Sequence, residues 1–121
     1  MIIVPKTVTT IGSLAFSRRS KLKKVQLPEG LERIGRDAFS DCNALEEITI
    51  PASVKTIDPY AFASCDGLKK VSFLGIPEHI ARTTFSDCDN LMSIIVPEGE
   101  EKKFRKMLHI TIDSDTLVLS E

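Results

Sequence analysis

The chain has 121 residues, a length that fits one domain. Its 16 Lys and Arg against 17 Asp and Glu give a formal net charge of −1, so no overall basic character points to nucleic acid, and 42% hydrophobic residues argue against disorder. No apolar run is long enough for a membrane span, and Met1-Ile-Ile-Val-Pro5 lacks the charged start and long apolar stretch of a signal peptide.

In chain order, Ile2-Ile3-Val4 matches the last three residues of a repeat, so the sequence begins inside one. Copies then run from Pro5 to Leu27, Pro28 to Ile50 and Pro51 to Phe73, and a divergent copy runs from Leu74 to Val96. Phe16, Phe39, Phe62 and Phe85 fall 23 residues apart, as do Leu22, Leu45, Leu68 and Leu91, and Ile11, Ile34, Ile57 and Ile80. A fixed period of this length is the signature of a solenoid: no coil buries its apolar side alone, so coils stack. Residues 1–96 are read as 23-residue repeats and 97–121 as a C-terminal cap and tail.

Within a repeat the apolar period changes. Ile48-Thr-Ile50 alternates as a strand does, and Pro51, with no N–H to donate, ends it. Equivalent strands at Ile2–Val4, Val25–Leu27, Ile48–Ile50, Val71–Phe73 and Ile94–Val96 are expected to build a parallel sheet along one side. Val54 and Ile57 read as a second, extended inward pair. A short helical segment is expected next. Asp58 would cap it, Pro59 would open it, and Ala61, Phe62 and Cys65 would share one face. Asn43, Asp66 and Asp89 suit the turn that leaves it. Inside run columns of Leu, Ile, Cys and Phe; each Phe should be worth about 3–5 kcal/mol on truncation to Ala.

Pro97 to Leu108 reads as an amphipathic cap helix, with Phe104, Met107 and Leu108 on one face. Glu100 and Glu101 near its start and Arg105 and Lys106 near its end suit the helix dipole. The tail, His109 to Glu121, has two short apolar runs around an Asp113-Ser114-Asp115 turn, read as a hairpin or as a strand added to an edge.

Ile34-Gly35, Ala38-Phe39, Cys42, Leu45, Ile48, Ile50-Pro51 and Val54 together resemble the BspA-like class of leucine-rich repeat, over about residues 2–108. The fold class implied is α/β: a leucine-rich-repeat solenoid, a right-handed β-α superhelix with a parallel sheet on one side and short helical turns on the other. The resemblance also implies a role in bacterial surface adhesion or host-protein binding, at the cell surface or secreted. Arg19 departs from the pattern where the other copies have Cys, as do Leu74-Gly75-Ile76-Pro77, Ala81 and Thr84 in the last copy. The Asn of many other leucine-rich repeats is absent; Gly30 and Ser53 stand there.

The outward strand residues form ladders: Lys24, Glu47, Lys70 and Ser93; Lys23, Glu46, Lys69 and Met92; and Ile3, Gln26, Thr49, Ser72 and Ile95. Lys and Glu therefore stand side by side. Either they neutralise one another, each pair worth well under about 1 kcal/mol, or they pattern a binding surface. The candidate binding face is Lys23, Lys24, Gln26, Glu46, Glu47, Thr49, Lys69, Lys70 and Ser72. Arg18-Arg19-Ser-Lys21-Leu-Lys23-Lys24 could touch phosphate or an acidic partner, but lacks interleaved aromatics and is read as a solvated face balanced by Glu46 and Glu47.

Cys42, Cys65 and Cys88 recur at one repeat position, which reads as a buried column of small hydrophobes rather than a zinc site. A disulfide between neighbours would need Cα atoms within about 7 Å. Asp87-Cys-Asp89 and Asp113-Ser-Asp115 offer too few carboxylates for a hard cation. His79 and His109 are the only histidines, and no nucleophile elbow, phosphate loop or zinc-protease motif occurs. The chain therefore reads as a non-enzymatic protein-interaction module without a cofactor. The alternative is a structural segment of a longer repeat protein, or a unit that self-associates through the Ile2–Val4 edge or the tail strand Thr116-Leu-Val-Leu119. Against self-association stands a monomer whose tail folds back on its cap.

Overall fold

The computed structural model describes residues 1–108 and 117–120. It is a parallel-sheet solenoid of about five turns. The front strands are β1 (Ile2–Ile3), β3 (Val25–Gln26), β5 (Glu47–Ile50), β7 (Lys70–Phe73) and β9 (Ser93–Val96). The second extended pair of each coil becomes a back sheet of β2 (Thr10–Ile11), β4 (Arg33–Ile34), β6 (Thr56–Ile57) and β8 (His79–Ile80). Every ladder is parallel and most hold the 23-residue register, as in Ile48↔Val71 and Ile34↔Ile57. Alternation along each strand sends Ile48, Ile50, Val71 and Phe73 inward and Glu47, Thr49 and Lys70 outward.

The segment expected to be helical is instead a run of turns. Ala38 N donates to Gly35 O at 3.1 Å and Ser40 N to Asp37 O at 3.2 Å, whereas Asp37, Phe39 and Asp41 donate across to Pro59, Ala61 and Ala63 of the next coil. A helix would need those donors for its own i−4 carbonyls; the solenoid uses them as a third ladder between coils. The geometry demands left-handed residues, with φ of 55° at Asp37 and 58° at Asp41, and likewise at Leu14, Arg18, Tyr60, Ser64 and Asp87. Asp accepts this conformation readily; a residue such as Leu14 adopts it at about 1–2 kcal/mol. The expected exit residues Asn43, Asp66 and Asp89 are not among the left-handed positions. Nor does the Asp58 carboxylate cap a helix: it accepts from Arg33 Nε at 2.9 Å and Nη2 at 3.2 Å.

The core follows the columns. Phe39, Phe62 and Phe85 are buried and stacked, with centroids 5.1 and 5.6 Å apart; Phe16 ends the column half-buried, 5.1 Å from Phe39. The thiols do more than fill space. Cys42, Cys65 and Cys88 donate to the carbonyls of Phe16, Phe39 and Phe62 at 3.0–3.1 Å, so each cysteine ties the turn of its coil to the coil before. In the first coil, where Arg19 replaces Cys, the guanidinium lies over the Phe16 ring at 5.8 Å. Where another leucine-rich repeat would place Asn, Ser53 Oγ donates to Leu31 O at 2.7 Å and accepts from Gly30 N at 2.8 Å. Thr84, where earlier copies have Ala, is buried and hands its hydroxyl to Ala81 O at 2.8 Å. The divergent fourth copy thereby keeps its polar group satisfied.

The helix α1 spans Glu101–Leu108, shorter than the expected Pro97–Leu108. Phe104 and Leu108 are fully buried, and the Phe104 ring meets Phe73 at 5.0 Å. A final strand, β10 (Leu117–Ser120), lies parallel on β9, with Val118↔Ile94 and Leu119↔Ile95. This is a strand added to an edge within the same chain, not one arm of an antiparallel hairpin. The rest of the tail, including the Asp113-Ser114-Asp115 turn and His109, lies outside the described residues. The Ser120 hydroxyl and the amides at the start of α1 hold the Glu101 carboxyl below its usual range, so this contact joins β10 to α1.

Candidate binding face

The front strands present a regular array of outward side chains. Lys23, Lys24, Gln26, Glu46, Glu47, Thr49, Lys69 and Lys70 are exposed, and Ser72 is half-buried. The structure brings Glu46, Glu47, Thr49, Lys69, Lys70 and Ser72 onto adjoining strand positions, with Glu47 opposite Lys70 and Thr49 opposite Ser72. Lys69 Nζ stands 3.7 Å from Glu46 Oε1, both side chains more than half exposed, so the pair adds well under about 1 kcal/mol. Toward the last coil the face turns apolar: Met92 is 63% exposed and Leu119 44%, with Ile95 half-buried beside Leu119.

Lys23, Lys24 and Gln26 stand apart from this array. The front strands fall into a two-stranded sheet, β1–β3, and a four-stranded sheet, β5–β7–β9–β10, and no ladder joins β3 to β5. The back sheet runs unbroken past the same point. Between β3 and β5 lies a crevice of about 370 Å³, lined among others by Val25, Leu27, Ile48 and Thr49. The basic run is balanced only in part: Glu47 shares the lining of the crevice with Lys24. Glu46 turns to Lys69, and among the described residues Arg18, Arg19, Lys21, Lys23 and Lys24 make no ion pair. Arg19, Lys21 and Lys23 line a second hollow of about 490 Å³ that adjoins the crevice. Sequence reasoning missed the opening because each repeat, taken alone, looks able to pair.

The remaining candidates are placed plainly. The three thiols are free and buried. The Cys88 thiol alongside, followed by burial, pushes Cys65 well above the ordinary thiol value, and burial raises Cys42. Thiols held protonated in this way are poor nucleophiles. His79 lies exposed on the back sheet. Among the described residues no group of three or more His, Cys, Asp or Glu gathers to hold a metal, and no helix is long and apolar enough to cross a membrane.

Comparison with known proteins agrees with this architecture. Among solved structures, a leucine-rich cell surface protein from Faecalibacterium prausnitzii A2-165 superposes with a TM-score of 0.71 at 20% identity, over 88% of this chain and 34% of that one. A leucine-rich repeat protein from Bacteroides ovatus ATCC 8483 gives 0.50 at 26% identity, over 99% of this chain and 39% of that one. The chain thus spans between a third and two fifths of the length of these relatives. No curated protein matches the sequence. The model of the BspA type leucine rich repeat region matches in six copies across residues 1–108, and the chain belongs to that family.

Proposed function

We propose that the chain is a protein-interaction module, part of a bacterial surface protein, that engages a host or matrix protein through its front sheet. The observation that carries this reading is the array of Glu46, Glu47, Thr49, Lys69, Lys70 and Ser72. These residues stand on hydrogen-bonded, adjoining strands, and all but the half-buried Ser72 are exposed. Repeat solenoids use such extended surfaces for binding. The surface setting is supported by the name of the Faecalibacterium relative, a cell surface protein. No catalytic step belongs to this reading, and no cofactor.

The test is surface plasmon resonance of the chain over a panel of immobilised extracellular-matrix proteins, beside the double variant Lys69→Glu/Lys70→Glu. Both lysines are exposed, so the variant should fold as the parent does. Binding to at least one panel member, weakened about ten-fold or more by the variant, is expected. An absence of binding across the panel, or binding indifferent to the variant, would remove the adhesin reading. A second reading, a structural segment of a longer repeat protein, is favoured by the partial coverage of the solved relatives. It predicts stacking on further repeats and no ligand of its own.

A further inference from the structure

We infer that the first-coil turn Arg18-Arg19-Ser20-Lys21-Leu22-Lys23 is a binding site for a sulfated polysaccharide. The site does not involve Glu46, Glu47, Lys69 or Lys70, so it stands apart from the reading of the front sheet as a protein-binding face. The same turn occurs in four coils, and only its core is fixed. Phe16 and Leu22 recur as Phe39 and Leu45, Phe62 and Leu68, and Phe85 and Leu91. Where the first coil has Arg18-Arg19-Ser20-Lys21, the others have Asp41-Cys42-Asn43-Ala44, Ser64-Cys65-Asp66-Gly67 and Asp87-Cys88-Asp89-Asn90. Three coils thus carry a neutral or acidic turn and one carries a turn with three cations. Packing does not ask for them: Arg18, Arg19 and Lys21 are exposed, and Arg19 stands where the other coils bury a thiol. The surrounding charge is segregated in the same sense. Residues 1–28 hold six Lys and Arg and no Asp or Glu, whereas residues 29–121 hold ten against seventeen.

The cations are held in place and not neutralised. Arg18, at φ 63°, donates its amide to Ser40 O at 2.7 Å and accepts from Ser20 N at 2.9 Å, and Leu22 N donates to Arg19 O at 3.0 Å. The backbone under the run is therefore fixed before any ligand arrives, which lowers the ordering cost of binding. The Arg19 guanidinium rests over the Phe16 ring at 5.8 Å. The hollow of about 490 Å³ that Arg19, Lys21 and Lys23 line has no carboxylate in its wall. Nearby acids are engaged elsewhere. Glu46 meets Lys69 at 3.7 Å, Glu29 accepts from the amides of Ala52 and Ser53 at 3.3 Å, and Glu47 shares the adjoining crevice with Lys24, which is not part of the site. Among the described residues Arg18, Arg19, Lys21 and Lys23 enter no ion pair, and neither does Asp41, the counterpart of Arg18 in the next coil.

The form of the hollow selects the ligand. Its rim is cationic with the Ser20 hydroxyl beside it, and its apolar part comes from Leu22, buried, and Ile2, half-buried. A sugar ring carries sulfates at its edge and C–H groups on its face, so the face can lie on the apolar part while the sulfates meet the rim. A guanidinium offers a fork of N–H donors that suits a tetrahedral oxyanion, and it gives up its weak hydration at little cost. A single nucleic-acid strand would want exposed aromatic faces for its bases. The run has none, and the nearby Phe16 ring is taken up by Arg19 and Phe39.

The probe is a size-defined heparin oligosaccharide, with the same oligosaccharide after desulfation as control, titrated calorimetrically into the full chain. The sulfated form should bind, more weakly as salt is added, and the desulfated form should bind at least about ten-fold less tightly. Lys21→Glu/Lys23→Glu should weaken binding at least about ten-fold, while Lys102→Glu/Lys103→Glu, the same charge change at exposed positions of α1, should leave it within about two-fold. A footprint needs no substitution: under brief acetylation read by mass spectrometry, the oligosaccharide should protect Lys21 and Lys23 but not Lys69, Lys70, Lys102 or Lys103. No binding at low salt, an equal loss in both double variants, or protection spread evenly over the lysines overturns the proposal. So does equal binding of the desulfated form, of polyglutamate, of an oligodeoxythymidine or of phosphatidylserine vesicles, any of which would make the turn a general anion patch. A matrix protein that binds through Lys69 and Lys70, with no binding of the oligosaccharide, would leave the front-sheet reading standing and remove this one alone.

Discussion

The Phe column gives the sharpest test of what holds the stack. Phe62 is fully buried, with Phe39 stacked on one side at 5.1 Å and 1° and Phe85 on the other at 5.6 Å and 15°. Phe16 is half-buried and stacks on one side only. Truncating a buried Phe to Ala removes about 3–5 kcal/mol, and each stacked pair contributes about 0.5–1.5 kcal/mol beyond area. Phe62→Ala loses the full burial and two stacks, placing it near the top of that range, about 4–5 kcal/mol. Phe16→Ala loses half the burial and one stack, about 2 kcal/mol. With a urea slope of about 2 kcal/mol/M for a chain of this size, the midpoints of the two variants should differ by about 1 M. Circular dichroism suits the measurement, since the chain has no Trp and one Tyr. Equal midpoints, or a lower midpoint for Phe16→Ala, would mean that packing on both neighbours is not what stabilises a central coil.

Other outcomes follow from the same geometry. A Cβ at Gly35 would meet Ile11 O at 2.7 Å, whereas one at Gly12 meets nothing within 4 Å. Gly35→Ala should therefore lower the urea midpoint by the equivalent of about 2 kcal/mol or more while Gly12→Ala is neutral or mildly stabilising. The three cysteines should react slowly with a thiol reagent in the native state. Cys88, 8% exposed against 0% for Cys42 and Cys65, should be the first to label, as mass spectrometry would show. The Glu101 contact, depressed below the ordinary carboxylate value, should help hold β10 on α1 at neutral pH. That help is lost as acidification protonates the carboxylate, visible as earlier exchange of the β10 amides. A chain ending at Leu108 would uncover the edge of β9, and light scattering should then report more association than for the full chain; unchanged scattering would show that this edge does not attract partners.

What could be read from the residues, and what could not, divides along one line. Features that repeat by translation were legible: the columns at Phe39, Phe62 and Phe85, the inward strands and the apolar face of α1 all follow from side-chain period alone. Features set by where a backbone donor points were not. Ala61, Phe62 and Cys65 at i, i+1 and i+4 fit a helical face, and they fit equally a chain of turns whose amides reach across to the next coil. The left-handed positions fell at Asp37 and Asp41 rather than Asn43, because the turn, and not its exit, carries the reversed backbone. The bond from each thiol to the Phe carbonyl of the preceding coil spans 26 residues, a separation with no signal in a single repeat. The break between β3 and β5 is likewise a property of two coils together.

The same division bears on where function sits in such a chain. Within this molecule, the twelfth residue of each of the four repeats is Phe, at Phe16, Phe39, Phe62 and Phe85, and each ring stacks on the next. The outward column changes at every step, from Lys24 to Glu47 to Lys70 to Ser93. Packing places no demand on those residues: they are exposed or half-buried, and an exposed pair such as Lys69–Glu46 contributes well under about 1 kcal/mol. Stability therefore neither requires nor forbids a particular charge pattern on the front. A solenoid built this way separates its two tasks, with the inner columns and the three backbone ladders setting the shape. The outward columns carry no such packing duty and vary from coil to coil.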